Sequence, residues 1–162
     1  MNPAHLHLMF NHVPVIGVPL VAALLAWALF RGSREIYRAA LGASVILAAL
    51  TYPVFLTGEP AEDRVEDTSW ASEKLIHQHE ERAEAALIAV LLTGAIAGLG
   101  LWQSRGGRGP SRGLGGITLA GLALSAGLLG WTALLGGPIR HEEIRAGTSA
   151  SAPAEASHDD DD

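Results

Sequence analysis

Histidines lie at three places in this sequence, each beside the end of an apolar stretch, and acids accompany them at two of the three. The clusters occupy residues 5–12, 77–84 and 139–143, and together they hold six of the seven histidines. Imidazole nitrogen combined with carboxylate oxygen is a ligand set that suits zinc, iron and manganese. Residue type and clustering therefore predict a bound transition metal ion, or a b-type haem held by axial histidines.

The second cluster has the spacing of a single helix face. In a continuous helix His77 lies at position i, and three glutamates follow at i+3, i+4 and i+7, namely Glu80, Glu81 and Glu84. We take His77, Glu80 and Glu84 as candidate metal ligands. The alternative is a solvated polar face, with Arg82 neutralising part of its charge.

Three histidines from different clusters are candidate cofactor ligands: His12, His79 and His141. We expect His79 and His141 to share one site, with His12 as its third member, if the helices that follow or precede them are neighbours. Metal-binding imidazoles are usually oriented by an acceptor on the other ring nitrogen, and Glu80 or Glu84 is suited to that role. The alternative is that these histidines cap helices or hydrogen-bond lipid headgroups.

Four apolar stretches separate the clusters, and none contains Asp, Glu, Lys, Arg or His. A membrane-spanning helix needs roughly 20 apolar residues, with about 17 to 25 tolerated. The fold class predicted is an all-α integral membrane four-helix bundle. The stretches are Val13–Phe30, Ala39–Leu56, Ala85–Leu101 and Leu114–Gly137.

Positive charge is confined to one side of the predicted membrane. The two connections on that side carry six of the eleven Lys and Arg residues and only one of the seventeen acids, Glu35. Because Lys and Arg in short loops stay cytoplasmic, we expect both termini to face outward, into the periplasm from a bacterial inner membrane. The six residues are Arg31, Arg34, Arg38, Arg105, Arg108 and Arg112.

The third helix is predicted to extend beyond the membrane on the outer side. Helix-forming residues run without a break from Trp70, and a helix to Trp102 would be about 50 Å long against a hydrocarbon core of about 30 Å. Gly94 and Gly98 on it form a GxxxG pair suited to close helix packing. Residues 1–145 are thus one transmembrane domain, and residues 146–162 are predicted to be a disordered acidic tail.

Composition restricts the partners and the chemistry. The absence of cysteine excludes disulfides, thiolate metal sites and covalent haem attachment. A net charge of −6 makes nucleic acid a poor partner. The expected partners are the lipid bilayer and either other subunits of a membrane complex or further copies of the chain.

Several short segments stand beside the ends of the apolar stretches: Asn11-His12-Val13-Pro14, residues 56–62, His79-Glu80, and Gly136-Gly137 followed by His141. These segments resemble a widespread family of uncharacterised bacterial four-helix inner-membrane proteins that open with a His-x-Pro motif. The resemblance covers about residues 4–145. It implies the four-helix architecture, supplies no activity, and favours His12, His79 and His141 over His5, His7 and His158.

Three classes of function remain open. A metal- or haem-binding protein with a redox or electron-transfer role would use the clustered histidines, whereas a non-catalytic structural or accessory subunit would need only its helix faces. A transporter ranks last, because the apolar stretches lack the ionisable groups that such proteins place inside the membrane. No catalytic residue can be named, which argues against an enzyme.

Overall fold

The computed structural model describes residues 2–105 and 111–145, and within these ranges the chain forms helices, turns and short connections, with no strand. The helices are α1 (Pro3–Phe10), α2 (His12–Arg31), α3 (Arg34–Leu56), α4 (Gly58–Glu62), α5 (Glu73–Gln103) and α6 (Arg112–Arg140), followed by a 3-10 turn over Glu142–Ile144.

Four of these segments are long and apolar enough to cross a membrane: α1 together with α2, α3, α5 and α6. Large apolar side chains remain exposed on their outer faces; Phe30, for example, is 82% exposed and Leu134 is 76% exposed. Lipid covers such faces in a membrane, whereas a soluble monomer rarely leaves so much apolar surface uncovered. The all-helical architecture is that of a multi-pass membrane protein, as the apolar stretches predicted.

The long helices begin and end at residues suited to those positions. Gly32 ends α2 with a φ of 65°, a left-handed conformation that glycine adopts without a Cβ clash. The side chain of Ser33 then accepts a hydrogen bond from the backbone N–H of Ile36 and so caps α3. Ser111 caps α6 in the same way, through the N–H of Leu114.

The four long helices form a closed ring in the order α2, α3, α5, α6, because α2 packs on both α3 and α6 and α5 packs on the same two helices. Close contacts are made where side chains are small. A Cβ on Gly94 of α5 would collide with that of Ala48 on α3, and one on Gly121 of α6 would lie 2.5 Å from the Thr93 hydroxyl of α5. Gly98, which is also on α5, makes only an ordinary contact: its ideal Cβ position lies 3.8 Å from the Val45 side chain.

Interior hydroxyls are mostly satisfied within their own helices. Thr118 and Thr132 on α6 each donate to the carbonyl four residues earlier, as Ser44 and Thr51 do on α3. Such back-bonding lets a hydroxyl lie inside a membrane bundle without an unpaired group. Ser125 differs, because its Oγ is buried and makes no hydrogen bond in the described ranges.

The two ends of the bundle have different compositions. At the basic end, which consists of the α2–α3 and α5–α6 connections, Arg34 donates to the carbonyl of Ser104 and the Tyr37 hydroxyl donates to that of Ser111. At the opposite end, which we call the histidine end, α1 packs on α4 beside the start of α5 and the last turns of α6. The two arginine-bearing connections therefore lie at the same end of the bundle, as the charge pattern predicts.

Arg145 holds the segment before α5 against the end of α6. Its guanidinium donates to the carbonyls of Trp70, at 2.5 Å, and of Ile139, at 3.1 Å. The guanidinium of Arg140 lies 4.7 Å from the centre of the Trp70 ring. These contacts tie residues 63–72 to the histidine end.

Two details differ from the sequence-based expectations. The third long helix begins at Glu73 rather than near Trp70, because Ser72 has extended backbone angles and precedes the first helical residue. Residues before the first apolar stretch are helical too, as α1. The predicted disordered tail at 146–162 and the glycine-rich segment 106–110 lie outside the described residues.

Candidate functional site

His79 lies in the second turn of α5 and bonds across the bundle to α6. Its Nδ1 is 2.9 Å from the backbone carbonyl of Thr132. A carbonyl only accepts, so Nδ1 must carry the proton and donate it. Gly136 makes the approach possible, because a Cβ there would lie 3.0 Å from Cε1 and 3.2 Å from Nδ1 of the imidazole.

His7 reaches the same end of the bundle from α1. That helix starts at an Asn2 cap, whose side chain accepts from the N–H of Ala4, with Pro3 at its first position. The Nδ1 of His7 is 2.9 Å from the Thr57 hydroxyl, and that hydroxyl donates its own proton to the carbonyl of Val54. The Thr57 oxygen therefore accepts from His7, and Nδ1 of His7 carries the ring proton.

The two imidazoles are neighbours with the same tautomer. Their ring centres are 6.4 Å apart and their planes meet at 81°. Because both protons are held on Nδ1, each ring keeps a free lone pair on Nε2. An imidazole with Nδ1–H bonded to a backbone or hydroxyl oxygen and Nε2 free is in the state that binds metal ions. We call His7 and His79 the histidine pair.

The separation of the rings sets what a shared ion would require. An ion bound at about 2.0–2.1 Å from an imidazole nitrogen lies roughly 3.2 Å from that ring's centre, so two rings on one ion have centres at most roughly 6.4 Å apart. The observed separation is 6.4 Å. A shared ion would therefore need both Nε2 atoms to face it along a nearly straight line.

The structure does not group the histidines as the sequence-based argument expected. His12 is exposed and its Nδ1 lies 2.7 Å from the carbonyl of Leu8, one turn earlier. His141 is exposed at the end of α6, with Nδ1 2.8 Å from the carboxylate of Glu143. His79 thus has His7 beside it, and not the expected partners His12 and His141. His158 lies outside the described residues.

The predicted stripe on α5 is exposed along its length. His77, Glu80 and Glu84 are all exposed, and on this face His77 pairs with Glu81 at 3.6 Å. Across residues 2–105 and 111–145, no three His, Asp or Glu side chains come close enough together to hold a metal ion. Within these residues, the histidine pair therefore has no third His, Asp or Glu ligand.

Acidic side chains surround the histidine end. Burial raises the pKa of Glu62 on α4, and the nearby carboxylate of Glu80, the residue after His79, raises it further. At the far side, the backbone N–H of Glu143 and the imidazole of His141 lower the pKa of the Glu143 carboxyl. Negative charge at this end favours the approach of cations.

The sequence-based argument did not connect His7 with His79, because it assigned no helix to the residues before the first apolar stretch. Asn2 followed by Pro3 is a helix-start signal. Used that way, it would have placed His7 on a helix. Nothing in the spacing alone would have paired it with His79, because 72 positions separate them and the contact depends on how α1 folds back.

Comparison with known proteins adds no assignment: no protein-family model, no curated protein and no solved structure matches this chain.

Proposed function

We propose that this protein is a bacterial inner-membrane protein that binds a transition metal ion through Nε2 of His7 and Nε2 of His79, with a redox or electron-transfer role. The observation that supports it most strongly is that both imidazoles are held by Nδ1, on a hydroxyl and on a carbonyl, which leaves two free nitrogen lone pairs on adjacent rings. Imidazole nitrogen suits zinc, copper, iron and nickel ions. The other candidate is a b-type haem, whose iron would take the two imidazoles as axial ligands.

Both ligand residues are held by contacts that cost stability to rearrange. His79 is fitted against the backbone of α6 at Gly136, and His7 is fixed through the α1–α4 contact and Thr57. A site with pre-oriented ligands loses less entropy on binding than one on mobile side chains. The acidic surroundings of Glu62 add an attraction for cations.

The test is metal analysis of detergent-purified protein together with four histidine variants. His7→Asn and His79→Asn keep a side-chain amide donor near the position of Nδ1 but remove Nε2, so we expect folding without metal. His5→Ala on α1 and His77→Ala on α5 are matched controls, because both residues are exposed on the same helices. Stoichiometric metal in the controls and none in the two Asn variants is the expected result. A Soret band would instead indicate haem, and metal that survives both Asn substitutions would refute the site.

We further propose that both termini are periplasmic, with the histidine end outside and helix α5 extending from the membrane on that side. The support is the charge pattern: the connections at the basic end carry arginines at six positions, and such residues stay cytoplasmic. In this orientation, α1 and the histidine pair lie on the periplasmic side of the membrane.

Single cysteines test this orientation cleanly, because the chain has none of its own. Ser69→Cys at the histidine end and Gln103→Cys at the basic end both replace exposed residues. In intact cells, a membrane-impermeant maleimide is expected to label the first and spare the second until the cells are permeabilised. The opposite pattern would reverse the orientation and place the histidine pair in the cytoplasm.

A further inference from the structure

We infer that the basic end of the bundle binds one anionic phospholipid in a cavity between α2 and α6, with the lipid phosphate at Arg112. The cavity has a volume of about 220 Å³ and is lined by Ala28, Leu29 and Gly32 of α2 and by Arg112 of α6. It lies at the opposite end of the bundle from the histidine pair, so the inference does not depend on metal binding.

The cavity forms where α2 and α6 stop packing on each other. Deeper in the bundle the two helices are in close contact, since a Cβ on Gly115 of α6 would lie 2.8 Å from the Leu29 side chain. Toward the basic end α2 reaches Gly32, where an ideal Cβ has no heavy atom within 4 Å. The connections at this end join α2 to α3 and α5 to α6, so neither of them links the two helices that line the cavity.

The charge of the cavity favours an anion. Arg112 is exposed, and its guanidinium makes no hydrogen bond or ion pair with any residue in 2–105 or 111–145. The connections at this end carry a single acid, Glu35, against six arginines. A guanidinium with unused N–H donors recognises phosphate oxygens through paired hydrogen bonds. Arg112 is therefore suited to hold a phosphate group.

The surface beside the cavity favours a lipid over a soluble phosphate. At the same depth on α2, Phe30 is 82% exposed and Trp27 is 53% exposed. The guanidinium of Arg31 lies 5.6 Å from the centre of the Trp27 ring. Tryptophan beside a cation is typical of the boundary between hydrocarbon and headgroups. A phospholipid matches both features, with its phosphate at the arginine and its acyl chains on the apolar face, whereas a soluble anion matches only the first.

The size of the cavity agrees with partial insertion of the ligand. Pockets that enclose a whole small molecule measure roughly 300–1,000 Å³. The cavity beside Arg112, at about 220 Å³, is smaller. It suits a phosphate with its neighbouring glycerol atoms, while the acyl chains remain outside on the helices. Basic pockets between transmembrane helices bind anionic headgroups in this way.

The inference is tested by native mass spectrometry of the delipidated, full-length protein in detergent, titrated with phosphatidylglycerol or with phosphatidylcholine. We expect one phosphatidylglycerol to bind more tightly than phosphatidylcholine, and soluble glycerol 3-phosphate not to displace it. One arginine near an anionic lipid surface changes affinity by about 5-fold. Arg112→Gln should therefore weaken the binding of phosphatidylglycerol by at least about 5-fold, and Arg112→Lys should retain most of it.

The matched control is Arg38→Gln, which removes the same charge from an exposed position on α3 that does not line the cavity. It should bind the first phosphatidylglycerol as the unaltered protein does. Thermal unfolding of each variant, followed by circular dichroism, shows whether the fold is retained.

Four other results would each overturn the inference. Equal affinity for the two lipids would mean that headgroup charge is not recognised. Equal losses in Arg112→Gln and Arg38→Gln would mean that the whole basic end attracts lipid without a site at the cavity. Displacement by glycerol 3-phosphate would make the cavity a site for soluble phosphates. Binding of neither lipid to the folded protein would leave no lipid site at all.

Discussion

A methyl group added at Gly136 would press directly on the His79 ring. The ideal Cβ at this position lies 3.0 Å from Cε1 and 3.2 Å from Nδ1, both shorter than ordinary carbon contacts. Either the ring or the backbone of α6 must therefore move by a few tenths of an ångström. The bond from Nδ1 to the Thr132 carbonyl, now 2.9 Å, is the contact that such a shift lengthens first.

The magnitude of the effect follows from opposing terms. Overpacking a close contact costs about 1–3 kcal/mol and a weakened hydrogen bond up to about 1.5 kcal/mol, whereas replacing glycine by alanine inside a helix returns about 1 kcal/mol. We expect Gly136→Ala to destabilise the protein by about 1–3 kcal/mol. Because the imidazole loses its orientation, metal affinity should fall by about 10- to 100-fold.

The matched control is Gly130→Ala on the same helix, where the ideal Cβ has no heavy atom within 4 Å. It should leave metal affinity unchanged and unfold at the same or a slightly higher temperature. Thermal unfolding in detergent and a metal titration of the two variants provide the comparison. Equal behaviour of Gly136→Ala and Gly130→Ala would refute the claim that the His79 ring is held against α6.

Three further substitutions test other parts of the account. Thr57→Ala removes the acceptor for His7 Nδ1 and should weaken metal binding by about 10-fold or more, whereas Thr57→Ser should restore it; equal affinities would show that the hydroxyl does not orient the ring. Gly94→Ala should destabilise the bundle by about 1–3 kcal/mol through collision with Ala48, while Gly98→Ala should be neutral or slightly stabilising; the contact between α3 and α5 is wrong if the two unfold alike. Burial and the Glu80 carboxylate raise the pKa of Glu62. Its ionised form therefore destabilises the folded protein, and this destabilisation is absent at low pH and appears as pH rises past the usual carboxyl range. Glu62→Gln should therefore unfold at a higher temperature than the unaltered protein at pH about 7 and at the same temperature below about pH 4. No difference at neutral pH would contradict the placement of partly buried Glu62 beside Glu80.

The fold was largely predictable because each long helix is encoded locally. The apolar stretches, the arginines that flank them and residues such as Gly32 and Ser33 mark the helices and their ends without reference to the rest of the chain. The boundary near Trp70 was the least certain, because helix-forming residues continue on both sides of Ser72. The ring order of α2, α3, α5 and α6 could not be predicted, since small residues such as Gly94 occur on several helices.

The candidate site was less predictable because it depends on contacts distant in sequence. His79 was a predicted site residue, but its contact with His7 depends on α1 folding against α4, a packing arrangement that leaves no periodic signal. The carbonyl of Thr132 and the space above Gly136 carry no signature in the sequence either, because any residue offers a carbonyl and glycine is frequent in membrane helices. The cluster His141-Glu142-Glu143 was selected from its composition alone, and in the structure its imidazole bonds to the carboxylate of Glu143.

The central claim is that His7 and His79 both carry their proton on Nδ1 and offer Nε2 to an ion. It is tested most directly by ¹⁵N–¹H correlation spectra of histidine side chains in detergent-solubilised, ¹⁵N-labelled protein above about pH 7, where free imidazoles are neutral. The account predicts the Nδ1–H tautomer at both residues and, on addition of the metal ion that the site binds, shifts of the Nε2 signals of His7 and His79 alone. A proton on Nε2 of either ring in the metal-free protein, or Nε2 signals that stay unchanged when the ion is added, would contradict it.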